Sequence, residues 1–336
     1  MININNKDKK LLYYLLQDSR QSFKKIGKKV GISGELASYR INRLQEKNII
    51  KKFTIDINNE KFGYSLINIY YKYANISPNI KNEIIEFFVN HKFSKYVSSL
   101  EGIYDFQVEL FMGDALEFES FINEIKRRFH KYLIGKFAVG WIRGEMDKYS
   151  FLINENQDTN EPVYWSWGQR FIKIENFDFK ILQELSRNSR IPTKEIANKL
   201  SSTVSIINYR IKNLIKKGIL VQYTINIDWS KIGFRWFHLR IKLDDYNKKN
   251  QIKQYIRSNP YLIRILKGLI DDVDIHCTYL LRNIEELRNI IENITSKFPK
   301  LISDYEYYST YIIHKDNNMV PKLLEQRSPL NKGGMK

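Results

Sequence analysis

Side chains that commonly carry catalysis or bind metals are few and scattered in this sequence. The histidines do not fall at the spacing of metal-ligand pairs, and they are His91, His130, His238, His276 and His314. The one cysteine, Cys277, cannot form an internal disulfide or a Cys-rich zinc site, and it fits a reducing compartment. The sequence therefore predicts no catalytic residues, no metal and no cofactor.

The chemistry that the chain does offer is cationic. It contains 55 Lys and Arg against 37 Asp and Glu, a formal charge of +18, and such a charge attracts polyanions, nucleic acid first among them. An AT-rich genome would also raise the lysine content throughout, so the total alone decides nothing. The distribution favours nucleic acid, because residues 1–60 hold 13 basic and 6 acidic residues and residues 171–230 hold 10 and 5.

These two basic regions belong to an internal repeat. Asp8–Gly63 overlays Asp178–Gly233 at a constant offset of 170 without a gap. Identical residues at this offset include Leu12 and Leu182, Ser19-Arg20 and Ser189-Arg190, Tyr39-Arg40-Ile41 and Tyr209-Arg210-Ile211, and Thr54-Ile55 and Thr224-Ile225. One structural unit therefore occurs twice.

Apolar spacing predicts three helices at the start of each copy. In the second copy the apolar positions are Ile181, Leu182 and Leu185, then Ile196, Ala197 and Leu200, then Ile207, Ile211 and Leu214. Thr193 is the expected N-cap of the second helix, and Ser201-Ser202-Thr203 is expected to form a turn and to cap the third. Gly218, matched by Asn48 in the first copy, is expected to end the third helix in a left-handed conformation. This is the helix-turn-helix pattern, whose last helix enters the DNA major groove.

A β-rich segment follows the third helix in each copy. Residues 49–57 and 219–227 are each long enough to fold back as a two-stranded wing. We therefore expect winged helix-turn-helix domains at residues 1–60 and 171–230.

The third helix has one face for its own core and an opposite face for DNA. At about 100° per residue, Ala37, Ile41 and Leu44 form the core face in the first copy. The candidates for reading base edges are Glu35, Tyr39, Asn42 and Arg43 in the first copy, and Ser205, Tyr209, Lys212 and Asn213 in the second. Arg40 and Arg210 lie on the flank, where a phosphate contact and an ion-pair or packing role inside the domain are both open.

Lysines near these helices are suited to the phosphate backbone, although a solvated face would have the same composition. The phosphate candidates are Lys24, Lys25, Lys28, Lys29, Lys51, Lys52, Lys194 and Lys199.

The second half of each copy follows the order βαββαβ. In the first copy we expect strands at 66–73, 96–100, 105–111 and 135–142 and helices at 80–88 and 115–132; in the second, strands at 236–243, 263–266, 273–279 and 303–313 and helices at 249–257 and 284–298. This order predicts an antiparallel ferredoxin-like sheet with helices on one face. The other face needs a partner, so we expect an intramolecular pseudo-dimer, itself a building block for larger homo-oligomers.

The predicted fold class is α+β, with two winged helix-turn-helix domains alternating with two ferredoxin-like domains. The latter span residues 64–150 and 234–316, a polar linker spans 151–170 and a tail spans 317–336. No apolar run approaches the roughly 20 residues that cross a bilayer, and no secretory signal follows Met1. We therefore expect a cytoplasmic protein without membrane association.

The combination of Asp8, Ser19-Arg20, Ser33 and Tyr39-Arg40-Ile41 with a βαββαβ domain resembles the Lrp/AsnC family, the leucine-responsive and asparagine synthase regulators. The resemblance covers nearly the whole chain, twice. It implies a transcription regulator that binds double-stranded DNA through its helix-turn-helix, with a sensor domain of the RAM type that pairs and binds an amino acid or other small ligand. The implied ligand-binding candidates lie in the turn between the second and third strands of each sensor domain, and they are Gly102, Asp105, Gly268 and Asp272.

Two other classes of function stay open at this point. The same fold is used by sirohaem and haem-precursor decarboxylases, but the His-rich, aromatic signature of those enzymes is not seen after the second strand. An architectural protein that coats DNA with little sequence preference would also fit groove faces rich in Asn, Ser and Tyr. We expect a regulator and not an enzyme.

Overall fold

The computed structural model describes residues 2–62, 64–113, 115–146, 149–153, 163–166, 172–268 and 273–317. The first copy consists of α1 (Asn6–Gln17), α2 (Phe23–Val30), α3 (Gly34–Glu46), β1 (Ile50–Ile57), β2 (Ser65–Tyr73), α4 (Pro78–Asn90), β3 (Ser94–Gly102), β4 (Phe106–Met112), α5 (Ala115–Phe129) and β5 (Leu133–Met146). After the short strand β6 (Val163–Ser166), the second copy consists of α6 (Asn176–Arg187), α7 (Thr193–Lys199), α8 (Val204–Lys216), β7 (Leu220–Ile227), β8 (Arg235–Leu243), α9 (Lys249–Arg257), β9 (Leu262–Gly268), β10 (Ile275–Leu281), α10 (Ile284–Lys297) and β11 (Ile302–Asp316). The predicted α+β order is thus present in both copies.

Local signals at the helix ends explain most of these bounds. Asn48 and Gly218 have φ angles of 55° and 63°, so the predicted left-handed ends of α3 and α8 are confirmed. Thr203 caps α8, because its side chain accepts a hydrogen bond from the backbone N–H of Ile206. Thr193 differs from its prediction: it is the first residue of α7, and the N-cap position belongs to Pro192.

The predicted two-stranded wings are replaced by a ribbon shared between the copies. β1 does not fold back on itself, and instead it pairs antiparallel with β7. In this register Thr54 lies opposite Thr224, its counterpart at the repeat offset. A pseudo-two-fold axis therefore passes between these two residues. We refer to β1 and β7 together as the ribbon.

The other main strands close into an eight-stranded antiparallel barrel. The order around it is β5-β2-β4-β3-β11-β8-β10-β9, and β9 pairs again with β5. Each copy contributes four neighbouring strands in the ferredoxin-like order, and the copies join where β3 meets β11 and where β5 meets β9. The sheet faces that carry no helices line the interior of the barrel.

Alternation along the strands separates an apolar outside layer from a polar interior. Ile69 packs with α4 and α5, and Leu239 packs with α9 and α10, in two apolar cores. Their neighbours Asn68 and His238 point the other way and are nevertheless buried. The barrel thus encloses polar side chains, which is unusual for the centre of a domain and requires them to be hydrogen-bonded.

Three residues at the start of the expected linker belong to the core. Phe151, Leu152 and Ile153 are buried and pack in the apolar cluster that contains α1. The rest of the expected linker, apart from the backbone of β6, lies outside the described residues, as does the tail from residue 318 onwards.

Candidate nucleic-acid interface

The recognition helix of the first copy, α3, has the predicted faces. It begins after Ser33, whose Oγ accepts a hydrogen bond from the Leu36 N–H at 3.1 Å. Its core face is fully or almost fully buried, and it consists of Ala37, Ile41 and Leu44. The four base-reading candidates are all exposed: Glu35, Tyr39, Asn42 and Arg43. Tyr39 is 63% exposed, so a large aromatic side chain lies on the surface of this helix.

The recognition helix of the second copy, α8, repeats this arrangement with different side chains. Its core face is Ile207, Ile211 and Leu214. Ser205, Tyr209 and Lys212 are exposed, whereas Asn213 is half-buried. Tyr209 is 64% exposed, nearly equal to its counterpart Tyr39. The two helices therefore share one exposed aromatic position and differ at the other three candidates.

The flanking arginines make ion pairs within their own domains. Arg40 Nη1 lies 2.9 Å from Asp8 Oδ1, and Arg210 Nη1 lies 2.9 Å from Glu175 Oε2 and 3.5 Å from Asp178 Oδ2. These pairs connect the first helix of each domain to its recognition helix. Of the two roles left open by the sequence, the structure thus supports the one inside the domain.

The Ser-Arg pair of each copy lies at the pseudo-two-fold axis, a role that the sequence did not reveal. Ser19 Oγ and Ser189 Oγ are 2.6 Å apart, and both residues are fully buried. Arg20 Nη1 donates to the Ser189 carbonyl, and Arg190 Nη1 donates to the Ser19 carbonyl. Such reciprocal contacts characterise an isologous interface, in which equivalent residues of two units meet.

The ribbon extends the same interface through its threonines. Thr54 Oγ1 donates to the Ser186 carbonyl and Thr224 Oγ1 donates to the Leu16 carbonyl, each at 3.0 Å. Each threonine thus binds the end of the first helix of the other copy. The signal that could have revealed this interface is the retention of Ser-Arg and Thr-Ile at the repeat offset, since three of the four base-reading candidates differ between the copies.

The phosphate candidates divide into two groups. Those that are exposed without an ion pair in the described part of the chain are Lys24, Lys25, Lys28 and Lys194. Three of the others have partners within the protein. Lys29 Nζ donates to Gln21 at 2.9 Å, Lys199 pairs with Glu184 and Glu195, and Lys51 lies 3.4 Å from Asp228. Lys52 is half-buried on the ribbon, and desolvation lowers its pKa.

The turn between β3 and β4, which holds the ligand-binding candidates of the first copy, is occupied by internal contacts. Gly102 has a φ of +120°, and a Cβ there would lie 2.9 Å from the Tyr307 carbonyl oxygen, so glycine is required. Asp105 Oδ2 accepts a hydrogen bond from the Tyr73 N–H at 2.9 Å. Lys72 Nζ donates to the Gly102 carbonyl and lies 3.6 Å from the Asp105 carboxylate. These bonds hold the turn against the barrel.

The second copy places a different aspartate at the equivalent position. Asp274 Oδ2 accepts from the Leu243 N–H at 2.8 Å, as Asp105 does from Tyr73. Gly268 ends β9, and Asp272 lies outside the described residues. The structural counterpart of Asp105 is therefore Asp274, because the longer loop of the second copy shifts the register after Gly268.

Membrane-spanning helices and metal-ligand clusters are both absent from the described part of the chain. No described helix is both long and apolar enough to cross a membrane. No group of three or more His, Cys, Asp or Glu side chains in the described ranges is arranged to hold a metal ion.

Comparison with known proteins matches both helical domains. A winged helix-turn-helix DNA-binding family matches residues 4–51 and 174–221. The regulator LrpA of Pyrococcus horikoshii is 46% identical over 66 residues, which are 20% of this chain and 47% of that protein. LrpA of Bacillus subtilis is 29% identical over 127 residues, 37% of this chain and 90% of that protein. The chain thus spans less than half the length of some relatives and most of others.

One solved structure matches almost the whole chain. The siroheme decarboxylase NirDL has a TM-score of 0.64 and 12% sequence identity, and the match covers 95% of this chain and 94% of that one. It has also been solved with an iron-uroporphyrin III analogue. At this identity the likeness concerns the fold alone.

The repeated helix-turn-helix match and the LrpA relatives show that both helix-turn-helix domains of this chain are similar to those of Lrp/AsnC regulators, and the chain carries two copies of a helix-turn-helix and βαββαβ unit.

Proposed function

We propose that this protein is a cytoplasmic, sequence-specific transcription regulator that binds double-stranded DNA with both recognition helices of one chain. The observation that carries the proposal is the Thr54–Thr224 pair on the pseudo-two-fold axis. An axis of this kind presents two helices to DNA in the way that a homodimer does, and dimeric helix-turn-helix proteins read half-sites about one helical turn apart.

The proposed target is an imperfect palindrome. Tyr39 and Tyr209 are equivalent and equally exposed, so the half-sites share a feature. Asn42 and Lys212 are equivalent but chemically different: an Asn side chain suits adenine, whereas a Lys side chain suits guanine. Each half-site should therefore carry its own preferred bases.

Selection from a random DNA library by the full chain tests this proposal. We expect an enriched palindrome with unlike halves. A matched variant, Ser205→Glu/Lys212→Asn/Asn213→Arg, gives α8 the exposed candidates of α3, and it should make the selected halves more alike. DNA binding without any enriched motif would favour the architectural alternative, and absence of DNA binding would refute both.

We propose further that the activity is regulatory and not catalytic, that a small ligand such as an amino acid modulates it, and that the chain assembles into larger homo-oligomers. Titration of the purified chain with the common amino acids during DNA binding tests the effector. Analytical ultracentrifugation tests the assembly, with a single chain as the alternative outcome.

A second candidate function is a tetrapyrrole-binding enzyme on the same fold. The observation that favours it is a cavity of about 340 Å3 between the ribbon and the barrel, lined in part by His238, His276 and Arg264. A second cavity of about 660 Å3 adjoins it, and the two share Asp56 and Gln222. Absorbance spectra with an iron-uroporphyrin, together with mass analysis for loss of carbon dioxide, test this candidate. An unchanged spectrum and unchanged mass would leave the regulator alone.

A further inference from the structure

The smaller of these cavities lies where the ribbon meets the barrel. Its volume of about 340 Å3 falls within the range of roughly 300–1,000 Å3 found for small-molecule sites. Asp56 and Gln222 line it from the ribbon, and His238, His276 and Arg264 line it from the barrel. A molecule in this cavity would therefore contact both parts of the protein.

Arg264 provides the cation of this cavity. Its Nε is buried and has no hydrogen-bond partner in the described part of the chain, and its guanidinium lies 5.3 Å from the centre of the Trp236 ring. The other cation, Lys95, is neutralised by Glu109 at 2.9 Å. A guanidinium recognises a carboxylate through paired N–H donors. Arg264 is therefore the group to which an anionic ligand would bind.

The acidic groups of the cavity are held by amide side chains on the ribbon. Asp56 accepts a hydrogen bond from Gln222 Nε2 at 2.8 Å, and burial raises the pKa of its carboxyl group. Asp316 accepts from Asn226 Nδ2 at 3.0 Å. These contacts leave the acids engaged within the protein, and none of them involves Arg264.

The histidines offer neutral hydrogen-bonding groups. Burial lowers the pKa of His276 to about 3 and that of His238 well below its usual value, so both imidazoles are uncharged at pH 7. His238 Nδ1 lies 3.1 Å from Thr278 Oγ1, and His276 Nε2 lies 3.2 Å from Tyr308 OH. The rings are thus held in place by side chains of their own copy.

The opposite wall of the cavity is chemically different. Asn68 and Gln107 occupy in the first copy the strand positions that His238 and His276 occupy in the second. The amide of Gln107 donates to Asn68 Oδ1. A bound molecule would meet amides on one side and imidazoles on the other, so the cavity favours one ligand in one orientation.

We infer that this cavity is a regulatory site for a small organic anion, whose carboxylate binds Arg264 and whose body lies between the two walls. The regulatory part rests on the proposed function. β1 and β7 line the cavity and also join the two helix-turn-helix domains. A ligand that binds one position of the ribbon more tightly than another favours that position. The resulting shift in DNA affinity is set by the difference between the ligand's affinities for the two positions.

Calorimetric titration of the full chain with 1-naphthoate and indole-3-carboxylate, and with their uncharged primary amides, tests the site. The carboxylates should bind at least about tenfold more tightly than the amides, since one charge-assisted contact accounts for that factor. Arg264→Gln should abolish the preference, and Arg264→Lys should retain part of it. Arg288→Gln is the matched control, because Arg288 is exposed on α10 outside the barrel.

The result that overturns the site is equal binding of carboxylate and amide to the wild-type chain, or no binding of either at low millimolar concentration. The wild-type comparison decides even if Arg264→Gln does not fold. DNA affinity measured without ligand separates the two proposals. Retained DNA binding without carboxylate preference refutes only the site. Carboxylate preference without DNA binding refutes the proposed function, and the regulatory role with it, but leaves the anion-binding site standing.

Discussion

Replacement of the two serines at the pseudo-two-fold axis should show strong energetic coupling. Ser19→Ala leaves the hydroxyl of Ser189 buried without its partner 2.6 Å away, and an unsatisfied buried hydroxyl costs about 1–3 kcal/mol. Ser189→Ala should cost the same by symmetry. The double variant removes both hydroxyls, so it should cost no more than about one single change. The expected coupling energy therefore equals about one single change, about 1–3 kcal/mol.

Urea unfolding followed by tryptophan fluorescence and circular dichroism measures this coupling. Trp229 is 6% exposed and packs in the apolar cluster that contains α1, so its fluorescence reports on this region. Ser258→Ala is the control, because Ser258 follows α9 and is exposed. Its effect should add to that of Ser19→Ala. If the Ser19 and Ser189 changes add within about 0.5 kcal/mol, the two helix-turn-helix domains do not meet as described.

Three further results are expected. With about 6 to 10 phosphates neutralised, log K for DNA against log salt should slope at about −5 to −9, and a slope near zero in binding assays would contradict phosphate-dominated affinity. Asn42→Ala or Lys212→Ala should change the ranking of sites, whereas Lys28→Ala should weaken all sites about equally; identical effects would mean that the helix faces are assigned wrongly. Acidification from pH 7 to pH 5 should destabilise the fold by about 2 kcal/mol for each of His238 and His276. The pKa values of both side chains are depressed in the folded protein and lie near 6.5 in the unfolded chain, so the unfolded chain takes up protons first and is stabilised. Urea unfolding at both pH values, with His276→Gln as a comparison, checks this loss.

The elements that the sequence predicted well are those whose signal is local. α9 has the predicted bounds, and α3 buries the three residues expected from a period of 3.6. The caps at Thr203 and Asn48 depend only on neighbouring residues. Local patterns of this kind survive in any tertiary context, so one sequence is enough to read them.

The features that the sequence did not predict depend on contacts between the copies. Ile50–Ile57 is rich in β-forming residues, and nothing within the segment shows that its partner is β7 and not its own second half. Lys51 and Lys52 were predicted from composition alone, and the ribbon gives them protein neighbours. Barrel closure likewise collects Asn68, Gln107 and the buried histidines, which are isolated polar residues in four separate strands.

The tandem arrangement gives this protein an asymmetry that a homodimer cannot have. A homodimer with the same axis would present every residue twice, both at the DNA and in the cavity. Here the copies are identical at the axis, where Ser19 meets Ser189, because each side of that contact requires the same small hydroxyl. They differ at Asn42 and Lys212, which face outwards, and at Asn68 and His238, which face the cavity. The residues that join the two copies are therefore constrained by one another, whereas those that face DNA or a ligand are free to differ. At these free positions the protein can recognise two unlike half-sites and a ligand in one fixed orientation.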